Sequence, residues 1–266
     1  MADDQRAIAA SFDDRAPTYA RNEWHRDYAE QLVALAALQS GHHVLDAGVG
    51  TGFAAAAIAR VVGPAGRVVG VDLSRGMLGQ ARAVLDAAGM GWVELLQADA
   101  TDLRDVPEAA FDAVICAAAL LYMPVDAALR EWRRLLKPGG IVGFSTMRRG
   151  SPRAGALFRD CARSFGVTLG DPSDGLGAED ACRRVLDVAG FGDVRVVQGH
   201  VDLSAADLSL AWDANMKSAA HAAVRDLSPA DLDLFRRRYE AALCGEYADG
   251  GPSVERAAVL YAFGRR

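Results

Sequence analysis

The stretch Val44-Leu45-Asp46-Ala47-Gly48-Val49-Gly50-Thr51-Gly52 decides how this chain is read. A short apolar run, a strand over His43–Asp46, stops at a G-x-G-x-G loop, and an alanine-rich helix from Phe53 to Val62 follows. Glycines suit such a loop because the backbone turns sharply and a ligand can approach it without interference from Cβ atoms. A dinucleotide-type loop would read G-x-G-x-x-G, with the last glycine easing helix against strand. Here Phe53 holds that last position and the third glycine comes one residue early, at Gly52. Asp46 also stands two residues before the first glycine, where a fixed negative charge repels a pyrophosphate and suits a cation.

Outward from the loop, short apolar runs alternate with helical patterns, the signature of a parallel sheet covered on both faces. Strands are read at Arg67–Val71, Trp92–Gln97, Phe111–Cys116 and Ile141–Ser145, with helices over 23–39, 76–88 and 125–136. Lys137-Pro138-Gly139-Gly140 is expected to stop the last of these helices and turn the chain into its strand. Later helices are read at 152–165, 178–189, 204–223 and 229–244, and later strands at 194–201 and 256–264. The helices at 1–39, 150–170 and 204–244 are expected to cap the carboxyl ends of the strands, where open α/β sheets bind ligands. The expected division is an N-terminal helical lid over 1–40, a Rossmann-like core over 41–147, and 148–266 completing the sheet and forming a substrate pocket.

Two more acids end strands. Asp72 follows the second strand and can accept hydrogen bonds from both hydroxyls of a ribose. Asp99 lies just past the third, placed to accept from an adenine amino group. An acid at the position of Asp72 is shared with NAD-binding proteins, but the loop and Asp46 favour an adenosine that also carries positive charge, S-adenosylmethionine (SAM), over NAD.

With these residues in hand, 43–147 resembles a class I SAM-dependent methyltransferase of the small-molecule branch typified by ubiquinone and menaquinone biosynthesis. Asp46, Gly48, Gly50 and Gly52 match that family's first motif, Asp72 its ribose acid and Asp99-Ala100 its adenine motif. Phe111–Cys116 matches its fourth strand, and Leu136–Gly140 the turn before its fifth. Phe12–Tyr19 resembles its N-terminal lid, although Ala20 replaces the acid that often follows the tyrosine. The resemblance implies a seven-stranded, mostly parallel sheet with an antiparallel terminal strand. It also implies cofactor contacts at Tyr19, Asp46, Gly48, Gly50, Gly52, Asp72, Leu73, Met77, Asp99, Ala100 and Cys116, and release of S-adenosylhomocysteine (SAH) as product.

The chain departs from the family where a base would be sought. No histidine occurs in Leu120-Leu121-Tyr122-Met123, no Asn/Asp-Pro-Pro-aromatic motif at 116–120, no Pro-Cys dipeptide, and no acidic cluster of the metal-dependent kind. A metal is therefore not expected. His25, six residues past Tyr19, is the first candidate base and His200 the second; His42 and His43 open the first strand, away from the ligand end. Trp212 with Met216, and Phe235 with Tyr239, are spaced as core-packing stripes.

Composition narrows the class. The chain has 266 residues, is 51% hydrophobic and has a net charge of −6, which argues against a polyanion-binding surface. Its arginine pairs and the triplet Arg236–Arg238 are scattered and mixed with acids. The four cysteines form no C-x-x-C, which fits a reducing, cytoplasmic setting. Asp3, Asp4 and Arg6, with no apolar stretch behind them, are not expected to open a signal peptide. The longest charge-free runs, 31–45 and 113–125, fall short of the roughly 18–20 residues that span a bilayer. The expectation is a soluble enzyme that methylates a small hydrophobic or aromatic acceptor, with no nucleic-acid or membrane partner. Its alternatives are a SAM-binding cyclase or pericyclase and a NAD-dependent oxidoreductase.

Overall fold

The computed structural model describes residues 3–19, 24–248 and 256–266. Two helices, α1 (Asp3–Tyr19) and α2 (Trp24–Leu35), precede β1 (His43–Ala47), α3 (Phe53–Val62), β2 (Arg67–Asp72), α4 (Arg75–Ala87) and β3 (Glu94–Gln97). The chain continues through β4 (Phe111–Ala117), α5 (Val125–Leu135), β5 (Leu136–Met147), α6 (Arg153–Arg163), α7 (Glu179–Val188) and β6 (Gly192–Asp202). It ends with α8 (Ala205–Ser209), α9 (Ala211–Lys217), α10 (Pro229–Ala248) and β7 (Arg256–Arg265). The seven strands form one sheet in the order β3-β2-β1-β4-β5-β7-β6. Only β7 runs against its neighbours. This is the mixed, mostly parallel Rossmann-like sheet expected.

Strand alternation explains the two-sided core. Val44, Val68 and Ala113 pack to one face with Tyr28, Leu32, Ile58 and Phe158. Leu45, Val69 and Val114 pack to the other with Trp132, Phe144, Leu186 and Phe191. Helix α3 sits close because its buried face is alanine, with Ala55 and Ile58 fully buried. Helix α5 presents Ala128, Leu129, Trp132 and Leu135 as its buried stripe, and Trp132 Nε1 donates to the Ala100 carbonyl at 2.9 Å.

Three expectations are corrected. The helix read over 23–39 ends at Leu35, because the chain turns through a positive φ at Ala37 and ties Gly41 N–H to the Val62 carbonyl. The Lys137–Gly140 segment does not lie ahead of its strand. Leu136 already pairs with Phe111, and the intervening residues bulge before Ile141 pairs with Ala113. Lys137 Nζ holds Asp112 at 2.8 Å beside that bulge. Finally, the single helix read over 204–223 is broken into α8, α9 and a 3-10 segment, Ala219–Asp226. Ser218 is extended between them, and burial of His221 and Val224 fixes the path, overriding helical propensity. Phe158, Trp212, Phe235 and Tyr239 pack together there, with ring centroids 4.7–5.9 Å apart, as the core stripes their spacing suggests.

Candidate functional site

A cleft of about 1010 Å³ opens at the carboxyl ends of β1, β2 and β4 and is roofed by α1. Its floor is the glycine loop. Gly48 and Val49 both donate to the Val71 carbonyl at 2.9 Å, which pins the loop to the end of β2. Gly48 (φ +77°) and Gly52 (φ +84°) occupy left-handed backbone, and the space beside each is already filled. A Cβ on Gly48 would lie 2.5 Å from Ala119 Cβ, and one on Gly52 3.0 Å from Ala81 Cα on α4. These two glycines therefore let the chain close on itself. Gly50, with nothing nearer than 3.9 Å, faces the open cleft.

The acids are held differently. Asp72 accepts from Gly50 N–H and Ser74 N–H, each at 2.9 Å, and burial raises its pKa. With four lone-pair sites, its carboxylate keeps capacity for two more donors. Asp99 accepts from Thr101 N–H at 2.9 Å and from the Thr101 hydroxyl at 2.7 Å, and the Gln5 amide of α1 donates to its other oxygen. Asp46 is fully buried beneath the loop, and neither of its oxygens meets a hydrogen-bond donor of ordinary geometry. Burial, and next the charge of Asp72, push its carboxyl up to about 7, against a smaller opposing pull from Ala55 N–H.

Helix α1 is docked by Asp13, whose Oδ1 accepts from the Ser74 hydroxyl at 2.5 Å and from Gly76 N–H at 2.8 Å. The same Ser74 caps α4 by accepting from Met77 N–H. Gln5, Ile8, Ala9 and Phe12 line the cleft at helical spacing, and Phe12 packs edge-on against Tyr122, 5.1 Å between centroids. At the other end the walls are aromatic and apolar: Tyr19, His25, Tyr28, Phe53, Ala29 and Ala117. His25 stacks on Tyr19 with centroids 4.4 Å apart and planes 16° from parallel. Burial pushes the Tyr19 phenol up to about 12 and that of Tyr28 well above its ordinary value.

The cleft brings together Tyr19, His25, Gly48, Gly50, Asp72, Leu73, Met77, Asp99 and Ala100. Asp46, Gly52 and Cys116 stand behind its wall; Cys116 is fully buried, and desolvation raises its thiol pKa. His200 is a correction. It sits exposed on the edge strand β6, four strands from β1, and outside the cleft lining. Ala20, and Arg21–Glu23 after it, lie outside the described residues. Gln5 and Phe53 were not singled out from sequence as site residues, although Gln5 belongs to the i, i+3, i+4, i+7 stripe of α1. Among the described residues, no three His, Cys, Asp or Glu side chains gather as a metal site, and no helix is long and apolar enough to cross a membrane.

Residues 44–140 match the family model of a methyltransferase domain. Over 118 residues the chain is 42% identical to the ubiquinone/menaquinone biosynthesis C-methyltransferase UbiE of Pseudomonas putida, a match covering 44% of this chain and 46% of that protein. The like-named protein of Ectopseudomonas oleovorans is 40% identical over 118 residues, 44% of this chain and 69% of its own length. The chain thus spans about half the length of most curated relatives it matches. Among solved structures, a candidate methyltransferase (BH2331) of Bacillus halodurans C-125 shares the fold with a TM-score of 0.60 at 19% identity, covering 89% of this chain and 97% of that one.

Proposed function

Because this chain belongs to the class I SAM-dependent methyltransferase family, we propose that it binds SAM in the strand-end cleft and methylates a small hydrophobic or aromatic acceptor. Asp46 carries this reading. A carboxylate with no hydrogen-bond donor of ordinary geometry, fully buried under a glycine loop, is a costly arrangement that the field of a cation bound on the other side of the loop would ease. SAM brings an ammonium and a sulfonium, so the residues present fit the group.

On this assignment Asp72 takes the ribose hydroxyls, and Asp99 with Ala100 takes the adenine edge, where Gln5 ties α1 to the same carboxylate. Tyr19, Leu73 and Met77 form walls, Gly48 and Gly50 give close backbone approach, and Gly52 and Cys116 shape the loop from behind. Residues 1–40 act as the lid, 41–147 as the cofactor core, and 148–266 complete the sheet and the acceptor side. Four free cysteines suit a reducing cytoplasm.

When bound, SAM supplies a methyl group already activated on a sulfonium leaving group. The protein's tasks are then to orient the acceptor and to exclude water, which the aromatic end of the cleft is built to do. Where the acceptor is a hydroxyl, His25, which lines the cleft, would take its proton.

The test is calorimetric SAM binding followed by SAH release with a panel of small phenols and hydroxyquinones. His25→Ala should lower kcat about 10²–10⁴-fold with little change in SAM affinity. Absence of SAM binding would refute the cofactor assignment. Binding without SAH release from any acceptor would instead favour a SAM-binding enzyme that does not methylate.

A further inference from the structure

A second cleft, of about 580 Å³, opens on the far side of Tyr19, between the end of α1 and α9. Arg15, Thr18, Tyr19, Leu210, Asp213, Ala214 and Lys217 line it. Tyr19 lines both clefts, so this space adjoins the aromatic end of the first.

Two cations face this cleft with no ion-pair partner among the described residues. Thirteen of the described arginines, and Lys137, are matched with an acid within 4 Å; Lys137 pairs with Asp112 at 2.8 Å. Among the described residues Arg15 and Lys217 make no such pair, and both face this one cleft. Arg15 is held in place without neutralisation, its guanidinium lying 5.1 Å from the Tyr19 ring centroid and 5.0 Å from that of Phe12. Its neighbour Asp13 is already engaged by Ser74 and Gly76. Lys217 ends α9, where it could cap its own helix, but Arg225 donates to the Met216 carbonyl at 2.8 Å and fills that role. One acid, the exposed Asp213, shares the lining, so the two cations leave the cleft with a formal charge of +1.

We infer that the acceptor carries an anionic group, a carboxylate or a phosphate, which Arg15 and Lys217 hold while its aromatic or apolar part lies past Tyr19 in the first cleft. This deepens the methyltransferase reading and rests on it. Two charge-assisted contacts at one end and an aromatic wall at the other would fix both the position and the direction of an elongated acceptor. They would also select against neutral analogues of the same shape, because those leave the cations facing an uncharged group.

The test is calorimetry on the full chain, with and without SAH, using 1-naphthoate, 1-naphthyl phosphate and the neutral 1-naphthamide as probes. At least one anion should bind about tenfold more tightly than the amide, the lower end of what one charge-assisted hydrogen bond gives. Whichever anion binds tighter identifies carboxylate or phosphate as the group selected. The advantage should shrink to about twofold in the Arg15→Gln/Lys217→Gln double variant, with SAH affinity held within about threefold. Anions binding no better than the amide, or failing to bind, overturn the inference, as does an advantage that survives the double substitution. Failure of SAH to bind the unsubstituted protein is a separate result against the cofactor reading, and the SAH-free arm is then scored alone.

Discussion

Asp46 and Asp171 are carboxylates largely removed from water, one beneath the glycine loop and the other in the loop that follows α6. Asp171 receives Arg159 Nη2 at 2.7 Å, Gly150 N–H at 2.9 Å and Ser173 N–H at 2.9 Å. Asp46 meets no donor of ordinary geometry, and desolvation raises its pKa to about 7. Nearby in the helical region, burial drives the pKa of His221 below its ordinary value, which favours the uncharged ring. The region after β5 therefore satisfies its buried charge internally, while the strand-end cleft holds one that it does not satisfy. Buried charge without a partner is the mark of a site completed by something else.

The comparison predicts that the two regions fail differently. Arg159→Ala should cost about 3–5 kcal/mol of stability, the usual penalty for breaking a buried ion pair. For a chain of this size that lowers Tm by about 6–20 °C, read by calorimetry. SAM affinity of the folded variant should stay within about threefold, and a larger loss would show that this ion pair serves the cleft after all.

Asp72→Ala should act on the other side of the divide. Two charge-assisted hydrogen bonds lost from a ribose amount to about 2–4 kcal/mol, or a SAM Kd raised about 30- to 700-fold. The variant should still fold, because Gly50 and Ser74 lose their acceptor where water can reach them. A change under about threefold would remove Asp72 from the ribose assignment.

How much of this was legible beforehand follows from what is local in sequence. The glycine loop, Asp72 and Asp99 could be read because each lies where a strand ends, and in a parallel sheet those ends converge on one edge. His200 misled because a strand's place in the sheet order is not local. Its strand also ends on that side, but β6 is at the sheet's far margin. The break of 204–223 into three pieces was hidden because the turn at Ser218 is fixed by where His221 and Val224 bury. Asp46 was identified as a charge for the cofactor, yet its sequence gives no hint that it stands behind the wall rather than in it. Burial depth depends on what the chain folds over it.

The smallest expected effect is the most direct test of the contrast. Asp46 titrates at about 7 in the folded chain against an ordinary 3.8. Between these values the folded protein holds a proton that the unfolded chain has released, so this group favours the folded state fully below pH 3.8 and loses that contribution as pH rises through 7. A shift of about three units corresponds to about 4 kcal/mol of destabilisation at pH 8. Asp46→Asn removes it but buries an amide whose own donors cost about 1–3 kcal/mol. The variant should therefore be more stable than the parent by about 1–3 kcal/mol at pH 8, with the gain disappearing by pH 5. It should also bind SAM about tenfold less well at pH 8. Parent affinity should fall as pH drops below 7, because protonation of Asp46 competes with the cation, whereas the variant's should not follow that curve. A variant that is less stable at pH 8, or that keeps the parent's pH dependence for SAM, would show that Asp46 finds a partner inside the protein, and the contrast with Asp171 would collapse.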